Sequence, residues 1–447
     1  MAITGRTVLA ACGGTLVVLI AGAVGMWLVG AVLFLLAAAV VADLVLAPSA
    51  RAVTFERGGD TSVRLGETAS VTLVLTNPSR RRLRGRVRDA WSPSAGDRPD
   101  PSSPSRPRGG GHTPTHVVNV AGGERARLCT TLTPRRRGDH RAAGVTVRSL
   151  GPLGLAARQC THTVPWTLRA LPPFRSRRHL PGKLARLREL DGQHSALVRG
   201  QGSEFDSLRE YVPGDDVRSI DWRATARSDS VVVRTWRPER DRRILLVLDT
   251  SRTSAGRVGD APRLDHAMDA ALLLAALAAQ AGDRVDMLAY DQQVRARVRS
   301  HGRGTTVPAI VQAMAPLESE LVEMDADGLT SSVLGGQRRS SQLVVLLTDL
   351  NATAMEQGLL PRLPALTSRH TLLVAAVGDP RVTEMSRERG DARSVYEAAA
   401  AERTLAERRR ITAELRRHGV EVVDSDPENI APALADAYIS LKARGRL

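Results

Sequence analysis

The sequence predicts three architectures in succession: an apolar transmembrane hairpin, an all-β sandwich, and a C-terminal α/β domain built on a parallel sheet. Three observations carry this. Thr7 through Ala42 holds no charged residue, residues 51–171 read as short alternating strands broken by turns, and from residue 244 strand-like apolar runs alternate with helical patterns. The boundaries that follow are an anchor at 1–50, a sandwich at 51–171, a basic connector at 172–243 and the α/β domain at 244–447. With 447 residues, the chain has room for two or three domains with cores of their own beyond the anchor.

The uncharged stretch spans 36 positions, well beyond the roughly 20 that one membrane-crossing helix needs. Gly22 and Gly25 divide it into pieces at about 8–21 and 26–46, which fit two short tilted helices as well as one long helix. A hairpin is favoured, because it returns Arg6 and the basic segment behind the anchor to one side of the membrane. Both soluble domains are then expected on the cytoplasmic face of a cell membrane. Cys12 follows Leu9, Ala10 and Ala11 in a superficial lipoprotein pattern, but too few apolar residues separate it from Arg6 for such a signal. Cys129 and Cys160 alone could meet, and in a cytoplasmic domain they are expected as free thiols.

The formal charge of +16 is local: residues 51–170 carry +13 (21 basic less 8 acidic), while residues 246–447 sum to −2. Basic residues beside an anchor mark the side that stays in the cytoplasm or touch anionic headgroups. Aromatic content of 3% and the lack of a recognition helix argue against nucleic acid. In 69–76, Val71, Leu73 and Leu75 share one face. Further strands are expected at 86–90, 116–120, 125–132, 143–149 and 163–170, as in an immunoglobulin-like sandwich. The Pro, Gly, Ser and Arg-rich stretch 92–114 is expected to be a disordered loop, and the basic cluster 80–84 a solvated hairpin.

One helical stretch near 184–190 interrupts the connector. In the last domain, strands are expected at 244–248, 284–290, 294–298, 342–348, 371–377 and 420–424, with helices at 264–280, 395–418 and 429–443. Alternating strands and helices imply crossover units and a parallel, Rossmann-like sheet, with ligands at the carboxyl ends of the strands. Asp249, Ser251 and Thr253 follow the first strand, and Asp349 follows the 342–348 strand. Carboxylates and hydroxyls so placed are hard oxygen ligands of the kind Mg²⁺ takes. The arrangement resembles the metal-ion-dependent adhesion site of von Willebrand factor A domains, with Thr253 in place of the final Ser. That family adds a Thr from an intervening loop, for which Thr305, Thr306 and Thr330 compete. Capping of the first helix, with Asp249 bonded to backbone amides, is the structural alternative.

Residues 204–227 read E-F-x-x-L-R-x-Y-x-x-G-D-x-x-R-x-I-D-W-x-A-x-A-R. This resembles the hallmark of the domain of unknown function 58 family, as does the whole order of hairpin, sandwich, hallmark and A-like domain, including Gly151, Pro152, Leu153, Gly154 and Leu155. The resemblance implies a bacterial origin and a partnership with MoxR-type AAA+ ATPases, and so a membrane-anchored adaptor. Physically, Asp215, Asp216 and Asp221 are interleaved with Arg209, Arg218, Arg223 and Arg227. Trp222 and Tyr211 could anchor this segment on the sheet as a clasp, or Asp215, Asp221, Trp222 and Arg227 could dock a partner. An envelope enzyme using the three carboxylates is the alternative. No nucleophile with a base is recognisable, Gly182 and Lys183 are followed by Leu184 rather than by a phosphate-loop hydroxyl, and no zinc spacing occurs. The chain is therefore expected not to be an enzyme.

Overall fold

The computed structural model describes residues 2–20, 25–96, 114–197, 204–237, 242–300, 306–335 and 341–446. It divides into two units, Met1–Leu171 and Pro172–Leu447, and is a mixed α/β structure with several sheets.

Two helices open the first unit, α1 (Gly5–Ile20) and α2 (Gly25–Leu46). Among the described residues, Trp27–Leu46, with a mean hydropathy of 2.7, is the one helix long and apolar enough to cross a membrane; α1 is apolar but shorter. The helices pack so closely that a Cβ on Gly14 would lie 2.7 Å from Val32 Cγ1, the small-residue contact that lets backbones approach. Both outer ends reach the same turn. Thr4 Oγ1 donates to the carbonyl of Gly154 at 2.6 Å, while the carboxylate of Asp43, fully buried, accepts from the amides of Leu153, Leu155 and Ala156 at 2.8, 2.6 and 2.9 Å. Gly151 has to be glycine here, because a Cβ would sit 2.2 Å from Asp43 Oδ1. Arg81 Nη1 donates to the carbonyls of Val45 and Leu46 at 3.0 and 3.1 Å, satisfying acceptors that the last turn of α2 leaves open.

The strands of this unit are β1 (Ala2–Ile3), β2 (Thr54–Gly59), β3 (Ser62–Arg64), β4 (Ala69–Thr76), β5 (Leu83–Trp91), β6 (Thr115–Val120), β7 (Arg125–Leu132), β8 (Gly138–Leu150), β9 (Ala156–His162) and β10 (Thr167–Leu171). One sheet runs β2-β4-β7; the other runs β1-β9-β8-β10-β3, with β5 bridging β8 to β6. Leu73, Leu75 and Leu128 of the first sheet pack with Val87, Val118 and Val147 of the second. The alternation in β4 and β5 puts Leu83 and Val87 inside and Arg84, Arg86 and Arg88 in solvent. Asp89 breaks the pattern. It is buried, and it bonds Arg57 Nη2 at 2.8 Å, Trp91 Nε1 at 3.0 Å and Thr130 Oγ1 at 3.1 Å, with the Arg57 guanidinium over the Trp91 ring. Most of the expected 92–114 loop, 97–113, lies outside the described residues. Its start is ordered as a 3₁₀ turn at Pro93–Ala95, with Ala95 buried. Cys12, Cys129 and Cys160 are free.

In the second unit, α3 (Leu180–Leu197) follows a 3₁₀ turn whose Ser176 bonds Asp269. The hallmark segment makes its own two-stranded sheet, β11 (Glu204–Glu210) with β12 (Val232–Arg237), enclosing the short helix α4 (Trp222–Thr225). The main sheet contains β13 (Arg243–Asp249), β16 (Arg284–Tyr290), β17 (Val294–Val298), β18 (Leu343–Leu347), β19 (Thr371–Val377) and β20 (Glu421–Ser425); a small β14–β15 hairpin (Arg257–Val258, Ala261–Pro262) stands apart. Its order is β17-β16-β13-β18-β19-β20, parallel except for β17. Helices α5 (Arg252–Ala255), α6 (Arg263–Gln280), α7 (Thr306–Met314), α8 (Ala326–Leu334), α9 (Leu363–Thr367), α10 (Pro380–Met385), α11 (Ala392–Arg417) and α12 (Ile430–Ala443) connect the strands. The alanine- and leucine-rich α6 buries twelve residues beside α7 and α12, whereas α8, α9 and α11 join the cluster formed by Val247, Leu346 and Val374. Parallel strands covered on both faces read as continuous apolar runs, as β18 does with all five residues buried.

Candidate functional site

β13 and β18 are adjacent and parallel, with Leu248 opposite Leu347, so Asp249 and Thr348 emerge side by side at the carboxyl edge of the sheet. Asp249 is 1% exposed. Its Oδ1 accepts from the amide of Ser251 at 2.8 Å, and its Oδ2 accepts from Thr253 Oγ1 at 2.7 Å and Thr348 Oγ1 at 2.5 Å. Ser251 and Thr253 hydroxyls lie 3.2 Å apart. One carboxylate thus organises three hydroxyl-bearing residues from two strand ends. Beside them opens a cleft of about 330 Å³, with Asp325, Thr353 and Arg362 also in its wall.

The second expected carboxylate is differently committed. Asp349 accepts from Arg263 Nη1 at 3.0 Å through one oxygen and from Arg408 Nη1 at 2.5 Å through the other. Arg408 also bonds Asp424 on β20 at 2.7 Å, and Arg263 also bonds the Thr253 carbonyl at 3.1 Å. Burial disfavours the Arg408 charge, but the Asp424 and Asp349 carboxylates outweigh it and raise its pKa above the usual guanidinium value.

As arranged, the expected metal set does not fit a divalent cation. Mg²⁺ takes six oxygens, several of them water, and needs one or two carboxylates free to face it. Here Asp249, Ser251 and Thr253 bond one another, and Asp349 is neutralised by two guanidiniums instead of facing them. Nor do the competing threonines supply a ligand. Thr306 faces Ser300, Thr330 donates to the Ala326 carbonyl within α8, and Thr305 lies outside the described residues. Thr348 takes the hydroxyl position at Asp249 instead. Its signal in the sequence was its place at the end of an apolar strand, immediately ahead of Asp349.

In the hallmark module each carboxylate holds a turn. Asp215 bonds Arg209 at 2.6 Å and the Val212 amide at 3.0 Å; Asp216 accepts from the Arg218 amide; Asp221 caps α4 through the amides of Arg223 and Ala224 and bonds Arg234 at 2.8 Å. The Arg209 hydrogen bond and then the Val212 amide hold the Asp215 carboxyl below its ordinary value, and the Arg234 bond and Ala224 amide do the same for Asp221. Gly214, at φ +110°, lies in the Val212–Asp215 turn. Trp222 does not anchor the segment on the sheet as a clasp would require. It is 69% exposed, with Val217 at 64%, Val212 at 55% and Leu208 at 46% on the same module. Arg218, Arg223 and Arg227 of the module are also exposed, and Tyr211 is half-buried.

A family model described as "Protein of unknown function DUF58" matches residues 207–423, beginning inside the hallmark and ending in β20. That is a little under half of the chain, so the likeness is narrower than the nearly full-length resemblance expected from the sequence. An uncharacterized protein of Mycobacterium tuberculosis, Rv1480, is 30% identical over 204 residues, covering 44% of this chain and 61% of that protein. The uncharacterized protein YeaD of Bacillus subtilis is 25% identical over 119 residues, 25% of this chain and 28% of that one. The chain thus spans about 61% of the length of the mycobacterial relatives it matches. Among solved structures, the CARDB domain of the PF1109 protein from Pyrococcus furiosus is 13% identical, covering 26% of this chain and 86% of that domain at a TM-score of 0.18.

Proposed function

We propose that the chain is a non-enzymatic adaptor, anchored in a bacterial cell membrane by its N-terminal helices with both soluble units on the cytoplasmic side. In this reading the β unit is an immunoglobulin-like sandwich and the second unit a von Willebrand factor A-like domain, supported by the parallel sheet order and the Asp249, Ser251, Thr253 loop at its carboxyl edge. The partner is a MoxR-type AAA+ ATPase, and it docks on the hallmark module. The observation that carries this is the exposure of Trp222 together with Leu208, Val212 and Val217. Solvent-facing apolar side chains with arginines beside them are what protein interfaces bury, and Trp and Arg dominate interface energetics.

The alternative, an envelope enzyme using Asp215, Asp216 and Asp221, has less support. A general acid near neutral pH needs a carboxyl pushed up by an apolar site, whereas Asp215 and Asp221 are pushed down by donors that fix the turns.

The test is co-purification of the full-length protein with the ATPase from the source cell, in each nucleotide state, since a partner that discriminates two states binds them with different free energies. Trp222→Ala is expected to weaken the complex by about 2 kcal/mol, roughly thirtyfold, at an unchanged melting temperature. A lowered melting temperature with unchanged affinity would return Trp222 to a structural role. Recovery of no ATPase in any state, alongside hydrolysis of an envelope substrate by the purified protein, would replace the adaptor with the enzyme.

A further inference from the structure

We propose that Arg263 and Arg408 take the place of a divalent cation at the carboxyl edge of the sheet, so that the site is assembled without metal. A cation in such a place gathers oxygen ligands from separate strand ends and neutralises their charge. The two guanidiniums do both. Arg263 links the Thr253 carbonyl of the first loop to Asp349, and Arg408 links Asp349 to Asp424, so the ends of β13, β18 and β20 are tied through two side chains. The charges balance locally, two guanidiniums against two carboxylates. Three of the four are shielded, the side chains of Arg408, Arg263 and Asp349 being 12%, 17% and 12% exposed, while Asp424 is 30% exposed. Poorly hydrated, permanently charged and planar, guanidinium suits this position better than ammonium. A Mg²⁺ ion entering here would meet two fixed positive charges where it needs a carboxylate, with little solvent to screen the repulsion. Asp249 is left to organise hydroxyls rather than a metal shell.

The inference concerns how the site is held, and its test involves no partner, so it stands or falls separately from the adaptor reading. The full-length protein in detergent is titrated with MgCl₂ by calorimetry and melted with Mg²⁺ and with EDTA. Wild type is expected to give no saturable heat and the same melting temperature in both. Arg263→Gln with Arg408→Gln frees Asp349 beside Asp249, Ser251 and Thr253, and this double variant is expected to gain a Mg²⁺-dependent rise of about 3 °C or more in melting temperature. Asp349→Asn is expected to melt lower and not to be rescued by Mg²⁺. Saturable Mg²⁺ binding by wild type that disappears in Asp249→Ala would overturn the proposal, as would a folded double variant indifferent to Mg²⁺. Should the double variant fail to fold, the wild-type titration decides alone.

Discussion

Removing one member of the Arg57–Asp89 pair is expected to cost more than removing both. The pair is the deepest ion pair described in the β unit, with side chains 1% and 0% exposed and a contact of 2.8 Å. Asp89→Ala strands the Arg57 guanidinium in the core and takes the acceptor from Trp91 Nε1 and Thr130 Oγ1. An uncompensated buried charge costs about 3–5 kcal/mol, and each orphaned neutral donor adds about 1 kcal/mol or more, so the upper end of the range is expected. Arg57→Met leaves Asp89 two neutral donors but no counter-charge, and falls near the lower end. Arg57→Met with Asp89→Leu removes both charges and leaves Trp91 Nε1 wanting an acceptor, while Thr130 Oγ1 keeps His116 Nε2 at 3.2 Å, a residual of about 1–2 kcal/mol. For a unit of this size the Asp89→Ala loss is a drop on the order of 15 °C in melting temperature. Because whole-chain melting mixes two units, the assay is amide hydrogen exchange resolved on β4, β5 and β7, completed as a double-mutant cycle. Single variants costing under about 1 kcal/mol, or a double variant equal to the sum of the singles, would refute the reasoning.

Two further outcomes are expected. Asp43→Ala removes the acceptor shared by the Leu153, Leu155 and Ala156 amides and should cost about 3 kcal/mol or more, read as accelerated exchange at those three amides; unchanged protection there would contradict the assigned contact. Asp283, buried against Tyr438 and Lys442, has its pKa raised above 3.8 chiefly by burial. A raised acid pKa means a stability contribution complete below the unfolded value and lost as pH rises through the folded one. Asp283→Asn should therefore gain stability relative to wild type as the pH rises from about 4, and denaturant melts showing a constant difference across that range would count against it.

The parts of the fold that could be read from the sequence are those whose pattern is local. The alternation at 69–76 became β4, with Ala69, Val71, Leu73 and Leu75 buried, and the apolar face at 264–280 became α6. β9 (Ala156–His162) was missed because its small and polar residues show no apolar face, and it is held by pairing with β8 and β1. The short helices α7 and α8 were missed for lack of length. Long-range chemistry was illegible for a different reason. Gly151 needs to be glycine to admit the Asp43 carboxylate, and that depends on a residue 110 positions from its Leu153 partner. The commitment of Asp349 was illegible in the same way, since the guanidiniums that claim it come from positions 86 and 59 residues away. Trp222 left two readings open, an anchor or a docking residue, because its exposure is set by the fold, which leaves it in solvent.

The seating of α1 and α2 on one turn of the β unit has a consequence for the proposed encounter with a soluble partner. A domain tethered by a flexible linker tumbles, and each collision must find the right face. Here the helix pair and the β unit are bonded at Thr4, Asp43 and Arg81, with only the short segment between Leu46 and Thr54 joining α2 to β2. In the proposed membrane-anchored form, the bilayer normal becomes the reference axis of the β unit, which is left to diffuse laterally and spin about that axis. Part of the rotational entropy that association ordinarily costs has then already been given up on insertion.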